Sequence, residues 1–190
     1  RARSCGAPPD AAHRLSLTID QACGTSLNVV LVDRRRIAAE TGSLQDLALL
    51  GALLADVDRF DESDAVYRQA IATLKNIRSD LIGSGDDTFG RLIAPMYSEF
   101  ADLLLTQTAT LESADAIQTN LLEVRNALEQ LKVAEVEDYF EHECILPETE
   151  RTRLENVASN SAVIYPVVLA NRTEILVSLP QGLRVFTAHV

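Results

Sequence analysis

Tryptophan is absent from this chain of 190 residues, and aromatic residues make up only 5 % of it. Ala and Leu fill the apolar positions instead, which suits helices packed closely against each other. No apolar run approaches the ~20 residues of a membrane-spanning helix, and no signal peptide is visible. We therefore expect a globular helical protein in the cytoplasm, with no membrane partner.

Cysteine is also scarce, and its odd count argues against a disulfide framework. The three positions are Cys5, Cys23 and Cys144. A reducing compartment is the better expectation, although a Cys5–Cys23 bridge becomes an option if an export signal has been removed. The chain begins with Arg1 rather than Met, which suggests a trimmed or processed product.

The few His and Cys residues do not predict a catalytic or metal site. His142 and Cys144 lie two positions apart, whereas a working base and nucleophile are usually brought together from distant segments. A metal site from Cys5, His13, Cys23, His142 and Cys144 is not predicted either, because structural zinc sites use close ligand pairs such as Cys-x-x-Cys, and none is present. His189 lies on a predicted strand and favours a surface or interface role. We predict no catalytic residue, no metal ligand and no cofactor.

Positive charge is in deficit, because 28 acidic side chains outnumber 17 basic ones and give a net charge of −11. Nucleic acid is excluded as a partner on this ground, since phosphate binding needs a concentrated positive face. The basic cluster Arg34-Arg35-Arg36 spreads over most of a helix circumference and indicates a solvated face. A basic or amphipathic peptide is the more natural ligand.

Two helices are predicted before residue 43. Asp10 is the predicted N-cap of the first, and Gly24 its end. The second starts near Leu27 and ends at Gly42. Its segment Val29–Val32 also fits a short strand, so both alternatives stand at this level.

From residue 43 the spacing of small and large residues resembles a tetratricopeptide repeat, in which two short antiparallel helices interlock. The matching residues are Leu47-x-x-Leu50-Gly51-x-x-Leu54, Phe60, Ser63-x-x-x-Tyr67 and Ala70. Gly51 has a physical reason to be small, because a side chain there would push the crossing helix away. Asp58 and Ser63 stand where the repeat usually has Gly and Ala. Both are compact, so we expect the turn to survive.

Capping residues place the ends of this hairpin. Ser43, with Asp46 three positions later, predicts the start of a helix that should run to about Val57. Asp61 is the predicted cap of the partner helix. Its first turn also carries Glu62, where the helix dipole favours an acidic side chain.

A second helical region follows the break at 83–87, which we interpret as a linker between hairpins. Tyr97-x-x-Phe100-Ala101-x-x-Leu104 repeats the first-helix spacing 50 residues after Leu47. A plain repeat recurs every ~34 residues, so an insertion or a lengthened helix must lie between. Pro95 should fall near the start or a kink of this helix.

The pattern changes from helical to extended after Pro147. Before it, Asn120 with Glu123 predicts the capping box of a long helix that runs through Tyr139 and Phe140. After it, the apolar segments 162–169, 173–179 and 183–190 predict three strands joined by tight turns. The first is apolar on both faces, as a covered strand would be. Three strands leave a face uncovered and an edge unpaired.

The predicted fold class is mainly α, with tetratricopeptide-like antiparallel helix hairpins followed by a short antiparallel three-stranded β segment. We expect three regions. Residues 1–42 form a leader and helices, 43–147 a tetratricopeptide-like helical domain, and 148–190 a linker with the first strands of another domain.

The junction between helices and strands resembles that of CHAT-domain proteins, in which tetratricopeptide repeats precede a caspase-like domain. The residues that carry the resemblance are Leu128–Phe140, Cys144, Ala162–Leu169 and Ser178–Pro180. It covers roughly residues 90–190 and implies a bacterial protein with a caspase-like domain whose opening strands lie here. The catalytic His and Cys of such a domain are on later strands, beyond Val190, so the resemblance assigns no catalytic residue to this chain.

We predict from these patterns a protein that binds another protein and acts as a regulatory scaffold. Its partners would be a protein or peptide, preferably basic, and the remainder of a CHAT domain. The predicted binding face lies on the first helix of the hairpin and comprises Gln45, Ala48, Ala52 and Ala55. One alternative is that this chain is part of a caspase-like cysteine peptidase. Another is an inactive adaptor that self-associates through its strand edge.

Overall fold

The computed structural model describes residues 27–81, 88–139, 161–169 and 171–188. It is mainly helical with a three-stranded antiparallel sheet, so the predicted fold class is confirmed. The helices are α1 Leu27–Thr41, α2 Leu44–Ala55, α3 Phe60–Leu81, α4 Ala94–Thr108 and α5 Ala114–Tyr139, with a π-helical turn, Phe89–Ile93, directly before α4. The strands are β1 Val163–Val168, β2 Thr173–Leu179 and β3 Gly182–Ala188. The helix predicted from Asp10 to Gly24 and the linker 83–87 lie outside the described residues.

The chain forms two compact units, Arg1–Ser79 and Asp80–Val190. The first contains α1, α2 and most of α3. The second contains α4, α5 and the sheet, so the strands belong to the same unit as the two helices before them. This division cuts the chain within the predicted region 43–147.

Helix α1 occupies the segment for which a strand was the alternative, so the strand interpretation of Val29–Val32 is wrong. Leu31 and Ala38, two turns apart, are buried on one side of the helix. Gly42 ends α1 as predicted, with a φ of +58° that a glycine adopts without steric cost. Its N–H donates to the carbonyl of Ala38 at 2.9 Å and closes the last turn.

Ser43 caps α2, as its sequence position predicts. The N–H of Asp46 donates to Ser43 Oγ at 3.1 Å, and the Ser43 hydroxyl donates to Asp46 Oδ2 at 2.6 Å. The helix ends at Ala55, two residues before the predicted Val57. The reason is the turn that follows, in which the N–H of Arg59 donates back to the carbonyl of Leu54 at 2.9 Å.

Helix α3 begins at Phe60, so the prediction that Asp61 caps it is wrong. The first hydrogen bond of the helix runs from the N–H of Ser63 to the carbonyl of Arg59 at 3.0 Å, which makes Arg59 the N-cap residue. Asp61 and Glu62 instead occupy the first turn, where the partial positive charge of the helix N-terminus favours carboxylates.

The π-helical turn lies directly before Pro95, which the sequence predicts to be near the start or a kink of a helix. The N–H of Ala94 donates to the carbonyl of Phe89, five residues back, and Pro95 is the second residue of α4. Proline has no N–H and crowds the carbonyl four residues before it. A wider turn at this point accommodates both properties, and the predicted position of Pro95 is confirmed.

Helix α5 begins at Ala114, six residues before the predicted capping box. The first-turn hydrogen bond runs from the N–H of Ile117 to the carbonyl of Ser113 at 2.9 Å. Asn120 therefore lies inside the helix and does not cap it. Its Nδ2 donates to the carbonyl of Leu104 at 2.8 Å and to Thr108 Oγ1 at 2.9 Å, which ties α5 to the last turn of α4.

The sheet has the order β1-β2-β3, with both pairs antiparallel. One face is covered, and Val167, Leu176 and Leu183 on it are at most 4 % exposed. Helix α5 packs against β3. The opposite face carries apolar side chains that are exposed.

Candidate functional site

The first unit is built around a close approach between α2 and α3. A Cβ on Gly51 would lie 3.0 Å from Cε2 and Cζ of the Tyr67 ring, and Tyr67 is completely buried. The predicted reason for a small residue at position 51 is therefore confirmed. The two helices can cross at this distance only because position 51 has no side chain.

The two departures from the repeat pattern both have a structural role in the hairpin. Asp58 adopts a φ of +58°, the left-handed conformation that a glycine would take in this turn. Ser63 is fully buried, and its hydroxyl donates to the carbonyl of Gly51 at 2.8 Å. The serine thus adds a hydrogen bond across the helix crossing, and the turn survives as predicted.

The predicted binding face on α2 is accessible at its ends and buried in its middle. Gln45 is exposed and Ala55 is half-buried, whereas Ala48 and Ala52 are only 4 % and 7 % exposed. The four residues lie on one side of the helix, at spacings of three and four. A partner on this side would contact Gln45 and Ala55 directly.

Charged side chains join α1 to the start of α3 in the same unit. Glu62 forms ion pairs with Arg35 of α1 and with Arg59, whose Nε donates to Glu62 Oε1 at 2.6 Å. Desolvation raises the pKa of Glu62, but the hydrogen bonds and charges of Arg59 and Arg35 outweigh it and lower the pKa below its usual value. The carboxylate is thus held in its charged form.

Asp46 is a second carboxylate with a lowered pKa in this unit. The main cause is the hydrogen bond from Ser43, followed by the one from Thr41, whose hydroxyl donates to Asp46 Oδ2 at 2.7 Å. Both donors stabilise the charged form. Asp46 is one residue from Gln45, so the predicted binding face has a fixed negative charge beside it.

The second unit contains a network of charges at the turn between β1 and β2. Arg172 donates from Nη2 to Asp102 Oδ1 of α4 at 2.6 Å and from Nε to Glu174 Oε1 at 2.7 Å. The remaining Glu174 oxygen accepts from the Thr187 hydroxyl at 2.8 Å. Burial lowers the pKa of Arg172, but Glu174 and Asp102 outweigh it and raise the pKa. The network fastens the sheet to α4.

Exposed apolar side chains lie on the outer face of the sheet. Ile164, Val168 and Phe186 are 62 %, 79 % and 54 % exposed. The register places all three on the face opposite to the covered one. The expectation that the first strand is covered on both faces is therefore wrong for its outer face, whereas the expectation that three strands leave one face uncovered agrees with these exposures.

The residues considered for catalysis or metal binding, His13, His142, Cys5, Cys23, Cys144 and His189, lie outside the described residues. Among the described residues, no group of three or more His, Cys, Asp or Glu side chains is placed to hold a metal ion. None of the helices in the described ranges is both long and apolar enough to cross a membrane.

No protein-family model, curated protein or solved structure matches this chain. The tetratricopeptide and CHAT resemblances therefore rest on the residues quoted for them, and they stay predictions.

Proposed function

We propose that this chain is a protein-interaction module of the tetratricopeptide type, which holds a peptide or protein segment and acts as a scaffold. The contact between Gly51 and Tyr67 is the observation that carries the proposal. A tetratricopeptide pair needs this small-against-large contact to bring its helices together. The buried Ser63 and the left-handed Asp58 support the same interpretation, since each occupies a position that the repeat pattern specifies.

The proposed ligand is a basic amphipathic peptide. Gln45 and Ala55 are the accessible residues of the binding face, and Asp46 and Asp56 lie next to them. Negative charge at both ends of the face would attract a peptide of opposite charge and repel an acidic one. The net charge of −11 adds a long-range contribution of the same sign.

Peptide binding to the purified chain tests this proposal. Three sets of amphipathic peptides of equal length and hydrophobicity, basic, neutral and acidic, would be compared by fluorescence anisotropy at low and high salt. We expect the basic set to bind most tightly, with Kd on the order of 10–100 µM and weaker binding at high salt. Equal binding of all three sets would contradict the proposed ligand class.

Substitutions locate the binding face. We expect Gln45→Arg and Ala55→Arg to weaken binding of the basic set by about tenfold each, because they place positive charge on the face. Ala109→Arg is the matched control, since Ala109 is an exposed alanine next to a helix end in the other unit. Unchanged affinity in both α2 variants would remove this face from the proposal.

The CHAT resemblance gives the proposal a second element, namely that the strands belong to a larger caspase-like domain. The exposed outer face of the sheet supports it, because a larger domain would cover such a surface. The reading frame beyond the codon for Val190 tests it. Further apolar strands followed by a His and a Cys would also support the alternative of a cysteine peptidase, whereas a stop codon would contradict both.

A further inference from the structure

One side chain of α5 takes the place of a neighbouring strand at the edge of β3. The Nε2 of Gln118 donates to the carbonyl of Leu183 at 2.9 Å, and the N–H of Leu183 donates to Gln118 Oε1 at 2.9 Å. The side-chain amide thus exchanges two hydrogen bonds with one residue, as the directly opposite residue of an antiparallel strand does.

The register explains why the backbone of Leu183 is accessible to Gln118. The N–H of Leu169 donates to the carbonyl of Arg172, so the even-numbered residues of β2 bond to β1 and the odd-numbered ones bond to β3. In β3 the residues that bond back to β2 are therefore even-numbered. The N–H and C=O groups of Leu183, Val185 and Thr187 therefore lie in the plane of the sheet and point away from β2, toward the free edge.

The opposite edge of the sheet is interrupted in a different way. In β1 the odd-numbered residues bond to β2. The backbone groups of Ile164, Pro166 and Val168 therefore point away from β2, toward the free edge of the sheet. Pro166 has no N–H, which removes the central donor from this edge. Among the described strands β1 and β3 are the two edges, and the centre of the β1 edge is poorly suited to pairing. β3 is the edge that needs protection.

We propose that Gln118 closes the β3 edge against pairing with β3 of a second copy of this chain. The register that uses all three outward-facing residues is antiparallel and centred on Val185. It pairs Leu183 with Thr187 of the other copy in both directions, and each pair exchanges two hydrogen bonds. Because Gln118 already occupies both backbone groups of Leu183, only the central Val185 pair can form while it is in place.

Gly182 provides the space for this contact. A Cβ on residue 182 would lie 2.6 Å from Gln118 Oε1, and the glycine has a φ of +125°. The turn between β2 and β3 therefore brings the backbone close enough for the amide of Gln118 to reach Leu183. The contact therefore depends on two residues, Gln118 of α5 and Gly182 at the first position of β3.

The test compares Gln118→Ala with Thr119→Ala by sedimentation velocity over a concentration series. Thr119 is the exposed neighbour on α5, and its hydroxyl bonds within the helix, so its variant is the matched control. We expect Gln118→Ala to self-associate at least ~10-fold more tightly than the unmodified chain, because two more residue pairs become free to bond. Thr119→Ala should behave as the unmodified chain does.

A double variant identifies the edge. Val185→Pro removes an outward-facing N–H that β2 does not use, so Gln118→Ala/Val185→Pro should return to the association state of the unmodified chain. Hydrogen exchange at the Leu183 amide gives a second readout, and dilute Gln118→Ala should exchange at least ~10-fold faster there. Equal association of Gln118→Ala and Thr119→Ala would overturn the proposal, as would a dimer that the proline leaves intact.

Discussion

Gly51 of α2 and Tyr67 of α3 are in van der Waals contact, with no room for a side chain between them. The nearest ring atoms are 3.0–3.1 Å from where a Cβ would be. Gly51→Ala gains about 1 kcal/mol of helix propensity, but overpacking against a fully buried ring costs about 1–3 kcal/mol. We expect a net loss of about 1 kcal/mol in the free energy of unfolding, measured by urea denaturation.

The double variant Gly51→Ala/Tyr67→Leu separates the two effects. A leucine lacks the ring atoms that approach residue 51, so the alanine should cost less in this background, or should stabilise the chain. An equal cost of Gly51→Ala with and without the ring would mean that the contact does not limit position 51.

The turn between α2 and α3 provides a prediction about backbone conformation. Asp58 has a φ of +58°, where a non-glycine residue is disfavoured by about 1–2 kcal/mol, less for Asp and Asn. We expect Asp58→Gly to be more stable than Asp58→Ala by about 1 kcal/mol in thermal or urea unfolding. Asp56→Gly and Asp56→Ala are the control pair, because Asp56 has a right-handed conformation. There the order should reverse.

Acid should destabilise the first unit. The pKa values of Asp46 and Glu62 are lowered in the folded chain, so their contribution to stability is complete above the unfolded values of about 3.9 and 4.3. It is lost as the pH falls from there through the lowered folded values. We expect the free energy of unfolding to decline with pH below about 4, in urea titrations monitored by circular dichroism.

Asp46→Asn combined with Glu62→Gln should flatten this decline. The double variant should be less stable than the unmodified chain near pH 6, and the difference should shrink as the pH falls below about 4. Glu112→Gln, which removes an exposed carboxylate elsewhere, controls for the general effect of net charge. A constant difference across the pH range would contradict the assignment.

The network around Arg172 predicts a large effect of removing one charge. Arg172→Met removes the guanidinium that pairs with both Glu174 and Asp102, whose side chains are only 7 % and 17 % exposed. Breaking a buried pair costs about 3–5 kcal/mol, and because Arg172 is partly exposed we expect about 2–3 kcal/mol in urea unfolding. Arg184→Met, at an exposed position of the same sheet, should stay within about 0.5 kcal/mol. Equal effects would contradict the prediction.

Features that depend on neighbouring residues could be predicted from the sequence. Ser43 begins α2 and Gly42 ends α1 because caps act within one turn of the helix. The small residue at Gly51 could be predicted because the spacing to Tyr67 is fixed by a two-helix hairpin. The three strands were placed within two residues of their bounds by apolar runs and turn residues.

Features that depend on distant partners could not be predicted. Asn120 and Glu123 match a capping box, but Asn120 instead bonds to the end of α4, 16 and 12 residues away. Gln118 reaches Leu183 across 65 positions, and Arg172 reaches Asp102 across 70. No local pattern marks these residues, because their role comes from the packing of α4, α5 and the sheet.

The π-helical turn before α4 contains one residue more than an α-helical turn, because its ring closes from the N–H of Ala94 to the carbonyl of Phe89. Loss of that residue would leave an ordinary α-helical turn, in which Pro95 crowds the carbonyl of Arg91. Ile93 is buried in the turn. Both the length of this segment and the apolar residue at position 93 are therefore constrained.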